Sequence, residues 1–492
     1  MPNNSINIKS HSLPIYLLLI LIAAVWVVFD QHGVINNDGV LYLQQANLFA
    51  QGDLEGAKAI YSWPFFSYLI AQLHQLSGIS FMYSAQLINI VLFVVACYFF
   101  LKTLLILSKE RTVLLAGFLA IMTSIPILDD YMPMLMRDNG MWAGFTAGLY
   151  FYLRWHKAPS VLNALLFQVC FILGAAFRPE IIILNLLIPI ASFWVKPASL
   201  TKSSAFVMSG LFLWVGVFLG FVYLGYHAMS GDLAHVNTGR LLELYERPKA
   251  VLENLFSPLP MGITTDYHYL HVMIDDHALA LKYLFITYVV AYKWVAVLGF
   301  FHLATAYIGI KRRLIPAQFI KPLLLVFVIS FLITAINLPT NYVLSRRYWV
   351  MNLWVVYLVS ALGLGFVIHE LFIGAWKRLW WAKAALVLLI LGYMAVVLFD
   401  SHRKNPDMEV VAWLKQQQVD VSKTYIDNKR VCFYMGSFDC ESIGLDQAKQ
   451  AAYPYLVLYF NRYQEAVEVD GYQVVKKVFD HDRPAFVVYQ KQ

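Results

Sequence analysis

The first residue whose type and position could do chemistry is Asp38, in the segment INNDGVLYLQQANLFAQGD, residues 35–53. This carboxylate follows directly after the first hydrophobic run, and Tyr42 comes four residues later. A positioned carboxylate can act as a general base towards a hydroxyl group. It can also simply cap a helix that begins at Gly39 or Val40, because Asp is a favoured N-cap residue. The segment by itself leaves both interpretations open.

Other ionisable residues lie at the ends of later hydrophobic runs. Ionisable side chains at membrane depth are costly and usually face the protein interior or a cavity. Arginine suits phosphate because its planar guanidinium can donate two hydrogen bonds. Together these residues predict a site for an anionic lipid headgroup, although each one could simply extend to the membrane interface. They are Asp129, Asp130, Arg137 and Asp138 in ILDDYMPMLMRDNG, Arg178 in FRPE, Lys293 in VVAYKWVAV, and Arg346 and Arg347 in SRRYW.

The composition is that of a protein embedded in a membrane. Of its 492 residues, 60% are hydrophobic and only 14% are charged, whereas soluble domains are about 45–50% apolar and about 25% charged. The net charge of +7 therefore does not indicate a nucleic-acid partner. It is informative only through the positions of Lys and Arg relative to the hydrophobic spans.

About eleven hydrophobic runs approach the length of roughly 17–25 residues that crosses a bilayer. No small-residue cleavage site follows the first run, which predicts an uncleaved span rather than a signal peptide. The fold class predicted is an α-helical polytopic membrane protein with interfacial helices and a small C-terminal α/β domain. The predicted spans are 12–29, 82–101, 112–128, 139–153, 160–177, 181–195, 205–226, 287–310, 322–338, 348–368 and 380–399.

The basic residues predict the orientation of these spans. Alternate loops are rich in Lys and Arg, as expected for cytoplasmic loops. A cytoplasmic N-terminus and an odd number of spans then place the C-terminus outside, in a multi-pass protein of the plasma (inner) membrane. The predicted inner residues are Lys102, Lys109, Arg111, Arg154, Lys157, Lys196, Lys202, Lys311, Arg312, Arg313, Lys377 and Arg378.

Two domains are predicted, a membrane domain at 1–399 and an extracytoplasmic α/β domain at 400–492. The membrane domain carries two long outer loops, 30–81 and 227–286, of which the first contains amphipathic pieces typical of helices in the interface plane. In the tail, NPDMEVVAWLKQQQ predicts a helix. Strands are predicted at KTYID, RVCFYMG, PYLVLYF, YQVVKKVF and AFVVYQ. Cys432 and Cys440 form either a disulfide or two separate thiols, since spacing alone does not decide.

From residue 12 to about 399 the chain resembles the GT-C superfamily of membrane glycosyltransferases. The resemblance is strongest to the branch of the protein O-mannosyltransferases and the lipid A aminoarabinose transferase. That branch has Asp-Glu-x-x-Tyr after the first span and Ala four residues later; Asp38, Tyr42 and Ala46 match, and Gly39 replaces the second acid. A Pro-Pro stretch is reduced here to Pro64, in YSWPFFSYLIA. RDNGMWAGFTAGLYFYLRW, FRPE and SRRYW are also similar to recurring features of the group.

The resemblance implies an inverting transfer of a sugar from a polyprenyl-phosphate donor to an extracytoplasmic glycan, lipid or protein. Asp38 would be the base, and Arg178, Arg346, Arg347 and Lys293 would hold the donor phosphate. The remaining candidates would contact substrate: Tyr42, Asp129, Asp130, Arg137 and Asp138. A phosphate leaving group needs charge stabilisation more than a general acid. One carboxylate therefore suffices, whereas glycosidases need two.

Two other classes compete with this interpretation. The first is an O-antigen ligase or polymerase, which also has many spans and outer arginines but uses a diphosphate-linked glycan. The second is a transporter or flippase, expected to show half-chain symmetry and broken midplane helices. No cofactor is predicted, and a divalent metal at His268 and His271 in DYHYLHVMIDDH is a minor alternative.

Overall fold

The computed structural model describes residues 8–30, 35–61, 63–192, 195, 201–211, 215–216, 253, 257, 277–341, 345–399, 406–438, 444–460, 468–480 and 482–492. These residues are mostly helical, with one sheet near the C-terminus. The chain separates into two compact units. The first unit comprises Met1–Val27, Leu87–Pro133 and Arg137–Leu398, and the second comprises Val28–Gln86, Met134–Met136 and Phe399–Gln492.

Seventeen α-helices and four strands are described along the chain, with a π-helix and two 3₁₀ turns between them. The helices are α1 (Ile8–Asp30), α2 (Asn37–Gln51), α3 (Leu54–Ile60), α4 (Phe65–Ser77), α5 (Phe81–Leu107), α6 (Thr112–Met122), α7 (Asp138–Lys157), α8 (Val161–Phe177), α9 (Glu180–Ser192), α10 (Lys202–Met208), α11 (Ala278–Lys311), α12 (Ala317–Asn341), α13 (Val350–Phe372), α14 (Trp380–Phe399), α15 (Pro406–Gln416), α16 (Lys429–Tyr434) and α17 (Leu445–Gln450). The π-helix is Ile125–Tyr131, the 3₁₀ turns are Arg346–Trp349 and Val421–Lys423, and the strands are β1 (Thr424–Ile426), β2 (Tyr455–Tyr459), β3 (Tyr472–Asp480) and β4 (Arg483–Lys491).

Six of the described helices are long and apolar enough to cross a membrane, or seven spans if the bent pair of α6 and the π-helix counts as one. A multi-pass membrane protein is therefore supported, with fewer clear spans than the eleven predicted. Helix α7 is long enough but too polar, and α8 and α9 are apolar but short. The predicted span at 205–226 lies mostly outside the described residues.

Helix α7 is polar for a membrane helix because protein, rather than lipid, surrounds it along nearly its whole length. Its three glycines, Gly140, Gly144 and Gly148, are spaced by four residues and allow α8 to approach closely. A Cβ atom added at Gly144 would lie 2.5 Å from the Cα atom of Gly174 and 2.7 Å from the carbonyl oxygen of Cys170. Small residues at such spacing are typical of tight helix pairs in membranes.

Two membrane helices of the first unit are broken within their length. Helix α6 ends at Met122, and the π-helix that follows it is bent from it by 42°. The hydroxyl of Ser124 caps the new start by accepting from the Ile127 N–H at 3.3 Å. Helix α11 contains Gly299 with φ 70°, a value that breaks the helical backbone and that glycine adopts without a Cβ penalty.

In the second unit, the loop helices α2, α3 and α4 belong with the C-terminal segment. The backbone N–H of Ile35 donates to the Tyr434 hydroxyl at 2.6 Å. The side-chain oxygen of Asn36 accepts from the backbone N–H of Leu135 at 3.0 Å. Segments 35–61 and 406–438 therefore belong to one compact unit.

The tail is a small α/β fold whose sheet has the strand order β1-β2-β4-β3. Strand β1 pairs parallel with β2, and the other pairs are antiparallel. Both faces are covered, since Val457 packs in one buried cluster with Leu414 of α15, and Leu456 packs in the other with Ala448 of α17. The predicted helix and four of the five predicted strands are confirmed.

The strand predicted at RVCFYMG is wrong, because this segment forms α16. Asn428 caps the helix: its side-chain oxygen accepts from the N–H groups of Arg430 at 3.0 Å and Val431 at 3.2 Å. A local cap thus outweighs the β-propensity of the apolar residues. Within this helix Cys432 is disulfide-bonded, and the other cysteine of the predicted pair, Cys440, lies outside the described residues.

The contact between α7 and α8 gives a stability prediction. The Gly144→Ala substitution places a methyl group against the backbone of α8, and we expect it to lower the free energy of unfolding by about 1–3 kcal/mol, the usual cost of overpacking. Gly392→Ala in α14 is the matched control, because a Cβ atom there meets no atom within 4 Å. Thermal unfolding of the purified protein in detergent measures both, and equal transition temperatures would contradict the prediction.

Candidate functional site

Four segments of the first unit bring most of the predicted ionisable residues together. These segments are the end of the π-helix, the start of α7, the turn between α8 and α9, and the 3₁₀ turn before α13. We call the result the ionic cluster. Its members are Asp130, Arg137, Asp138, Arg178, Glu180, Arg346 and Arg347.

At the centre of the ionic cluster, the Arg178 guanidinium is held by two carboxylates. It donates to the Asp138 carboxylate through Nη1. It also donates to Glu180 from Nη2 at 3.0 Å and from Nε at 3.4 Å. Because Pro179 follows Arg178 and disfavours helical backbone there, α8 stops before Arg178. Both carboxylates then stand in the first turn of a helix, where negative charge is favoured.

Burial makes this ion pair strong and also inaccessible. Arg178 is 5% exposed and Asp138 is 3% exposed. Burial alone would disfavour the ionised Glu180 carboxylate, but Arg178 outweighs this and lowers the pKa of Glu180 to about 2. The adjoining cavity, lined by Arg178, Glu180 and Tyr348, measures about 10 Å³, which is room for about one water. The guanidinium of Arg178 is therefore committed to its two carboxylates and is little exposed.

The 3₁₀ turn presents more accessible guanidinium groups. Arg346 donates to Asp130 at 3.2 Å, and its side chain is 50% exposed. Arg347 is half-buried. The Tyr348 ring contacts two arginines, with its centroid 5.1 Å from Cζ of Arg178 and 5.4 Å from Cζ of Arg347. Tyr348 thus links the buried guanidinium to the more accessible one through cation–π contacts.

Arg137 and Asp129 are both buried, at 6% and 5% exposure. Arg137 acts electrostatically on Glu180 and favours its ionised form. Asp129 precedes Asp130 in the π-helix. With these two residues included, the region holds four arginines and four carboxylates, so it is close to neutral overall. Anion binding there depends on which guanidinium groups remain accessible rather than on an excess of positive charge.

Lys293 is half-buried in α11. Its side chain makes no ion pair or hydrogen bond within the part of the chain that the structure describes. The ionic cluster is therefore built from arginines and carboxylates, and no described contact joins Lys293 to it.

Asp38 and Tyr42 belong to the second unit, on α2. The helix begins at Asn37 and Asn36 is its N-cap, so the alternative in which Asp38 caps a helix starting at Gly39 or Val40 is wrong. Asp38 instead lies half-buried in the first turn, where a carboxylate suits the helix dipole. Its chemistry is therefore not required for the backbone cap.

Packing accounts for two residues near Asp38: Gly39, which differs from the GT-C motif, and Tyr42, which matches it. Gly39 stands where the related motif has an acid, and a Cβ atom there would lie 2.9 Å from Asn36 and 3.0 Å from Leu135. A larger side chain does not fit. Tyr42 is 5% exposed, and its ring packs edge-on against Tyr61 and Phe66 at 5.8 Å and 5.4 Å. Tyr42 thus fixes α2 against its neighbours.

A second polar group, which no local sequence pattern indicates, is buried at the two helix breaks. His302 lies 3.4 Å from Thr123 through Nε2 and 3.3 Å from Ser360 through Nδ1. Its ring is 4.3 Å from that of Tyr357, whose hydroxyl is 2.9 Å from the Ser124 hydroxyl. Ser360 is near the middle of α13, about 15 Å from its start at 1.5 Å per residue. This His302 network therefore lies near the middle of the length of α13.

Two residues that contact Arg178, Glu180 and Tyr348, were not among the predicted site residues. Glu180 follows Arg178 so closely that a pair was foreseeable from FRPE, whereas Tyr348 resembled an ordinary interfacial aromatic. Within the described residues, no group of three or more His, Cys, Asp or Glu side chains could hold a metal ion. The proposed ligands His268 and His271, and the cysteine Cys440, lie outside those residues.

Neither a family model nor a curated protein matches this chain.

The two kinds of arginine give opposite stability predictions. Arg178→Ala leaves two carboxylates buried without their partner, and we expect a loss of about 3–5 kcal/mol in the free energy of unfolding. Arg346→Ala removes the more exposed ion pair with Asp130 and should lower the free energy of unfolding by less than about 1 kcal/mol. Thermal or denaturant unfolding in detergent distinguishes them. A smaller loss for Arg178→Ala than for Arg346→Ala would show that the buried pair does not hold the cluster.

Proposed function

We propose that the protein is an inverting glycosyltransferase that moves a sugar from a polyprenyl-phosphate donor to an extracytoplasmic glycan, lipid or protein. The observation that carries the proposal is the ionic cluster, in which Arg346 offers a half-exposed guanidinium group at the end of apolar helices and the partly buried Arg347 lies next to it. Guanidinium groups in that position suit a phosphate carried by a lipid. The resemblance of Asp38, Tyr42 and Ala46 to the GT-C motif supplies the reaction class.

The chemistry divides between stabilising the leaving group and activating the acceptor. When the bond from the anomeric carbon to the phosphate oxygen breaks, negative charge develops on the phosphate, and fixed cations stabilise it. Arg346 and Arg347 are the residues proposed to do this. The acceptor hydroxyl attacks the anomeric carbon as its proton passes to a base. Asp38 is the proposed base.

The buried arginine takes a different part in this proposal. Arg178 is enclosed by Asp138 and Glu180, so we assign it a positioning role rather than direct phosphate binding. Through Tyr348 it supports the turn that carries Arg346 and Arg347. Arg137 and Lys293 remain secondary candidates for the donor phosphate, and Asp129 and Asp130 for substrate contact, with Asp130 already holding Arg346 at 3.2 Å.

The proposal includes a location and an orientation. The protein would lie in the plasma (inner) membrane with a cytoplasmic N-terminus, as the distribution of Lys and Arg predicts. The second unit, which contains Asp38 and the C-terminal fold, would then face the outside. Lipid-linked sugar donors and water-borne acceptors meet at that surface.

The donor site predicts which arginine variants lose activity while staying folded. Arg346→Ala and Arg347→Ala should each lower turnover by about 10–150-fold, which corresponds to about 1.5–3 kcal/mol for a charge-assisted contact. The assay incubates the purified protein with several polyprenyl-phosphate sugars and measures consumption of each. Arg111→Ala, at an exposed position at the start of α6, is the control. Wild-type turnover by the double variant of Arg346 and Arg347 would place the phosphate elsewhere.

The base predicts a separate pattern for Asp38→Asn. Asparagine keeps the size of the side chain but does not accept a proton, so turnover should fall by about 10²–10⁴-fold. The free energy of unfolding should change by no more than about 1 kcal/mol, which is the size of a helix-dipole contribution. Glu55→Gln, an exposed carboxylate 3.0 Å from Lys58 in the same unit, is the control. If Asp38→Asn turns over normally, the acid serves only the helix.

One observation favours a second candidate, a transporter of a lipid-linked or anionic solute. Broken helices near the midplane are typical of transporters, and α6 and α11 are both interrupted next to the His302 network. The same assay separates the two functions. A transferase cleaves the sugar–phosphate bond in detergent solution, whereas a transporter moves its solute across a sealed vesicle and leaves that bond intact.

A further inference from the structure

A large apolar groove lies between α11, α12 and α13 in the first unit. Its volume is about 1020 Å³, and Arg313 is the one charged residue among those that line it. The other lining residues are apolar or aromatic, with Tyr307, Ile310, Ala317, Leu324 and Phe327 among them.

The groove opens towards the lipid and runs about the depth of one leaflet. Among its lining residues, Ile310 is 64% exposed and Leu324 is 57% exposed. Along α12 the wall extends from Ala317 to Phe327, about 15 Å at 1.5 Å per residue. That length is half of the roughly 30 Å hydrocarbon thickness of a bilayer. A hydrocarbon chain from one leaflet therefore matches both the polarity and the length of the groove.

Arg313 stands where the groove meets the membrane interface. It is the second residue after the end of α11 and lies four residues before the start of α12. At this level α14 begins with Trp380 and Trp381, which are 76% and 61% exposed, and exposed tryptophans are typical of the interface. The position is at the opposite end of α13 from the ionic cluster.

The mouth of the groove is strongly basic, because Lys311 and Arg312 directly precede Arg313. None of the ion pairs within the described ranges involves these three residues. Lys311 and Arg312 lie over the rings of Tyr307 and Phe366, at 5.5 Å and 5.3 Å. They also line a second groove of about 510 Å³, which shares Tyr307 with the first. Three cations beside apolar grooves complement a negatively charged headgroup above a hydrocarbon chain.

We propose that this groove binds an anionic phospholipid of the leaflet on the Arg313 side, with an acyl chain along α12 and the phosphate at Arg313. The site is separate from the ionic cluster and does not depend on the glycosyltransferase proposal. A zwitterionic phospholipid shares the acyl chain but not the net negative charge, so charge selectivity is the property that identifies the site.

Native mass spectrometry of the full-length protein in detergent tests the proposal. The probes are phosphatidylglycerol and phosphatidylcholine with identical acyl chains. The wild-type protein should retain phosphatidylglycerol in preference. Arg313→Asn should weaken that retention by about 5-fold, the factor that corresponds to one basic residue at an anionic membrane surface. Asparagine also tolerates the left-handed backbone at position 313, where φ is 53°.

A second pair of variants separates the groove from general surface charge. Ala317→Trp fills the groove and should weaken retention of both lipids, whereas Gln318→Trp, at an exposed neighbouring position outside the lining, should not. Lys321→Asn, at an exposed position on the same helix, should leave the preference unchanged.

Three results would each overturn the assignment. They are equal retention of the two lipids by the wild-type protein, an unchanged preference in Arg313→Asn, and an equal loss in Lys321→Asn. The wild-type comparison needs no variant, so it decides the charge selectivity even if a substitution prevents folding.

Discussion

The buried Arg178 guanidinium, shared by the Asp138 and Glu180 carboxylates, is the interaction on which the membrane unit depends. It joins the start of α7, the end of α8 and the start of α9 at one point. Isolated charges are not stable in such surroundings, so each of the three side chains requires the other two. The close contact of α7 with α8, which Gly144 and Gly174 allow, brings the carboxylate of Asp138 to this point.

From that fixed point, the arrangement of the accessible cations follows. The Tyr348 ring makes cation–π contacts with both Arg178 and Arg347. In the same turn, Arg346 forms an ion pair with Asp130. The buried pair thus has a structural consequence at the surface, where the Arg346 guanidinium of the 3₁₀ turn remains half-exposed. Catalytic and binding groups often stand on such irregular segments because a rigid scaffold beneath them limits their motion.

The same unit also contains two broken helices. Helices α6 and α11 break next to the His302 network, which provides hydrogen bonds inside the protein. Irregular backbone within a membrane is tolerated only where protein or water satisfies its polar groups. The unit thus holds two polar regions, one at the helix breaks and one at a helix end.

The sequence by itself determined the membrane class, the positions of the long spans, the α/β character of the tail and most members of the ionic cluster. Those features follow from local composition and periodicity, which each segment carries within itself. Only the tertiary structure decided that Arg178 is enclosed while Arg346 is accessible, that α7 is surrounded by protein, and that RVCFYMG is a helix. Enclosure depends on which distant segments meet, as Asp138 meets Arg178 across 40 positions, and no local pattern encodes that distance in space.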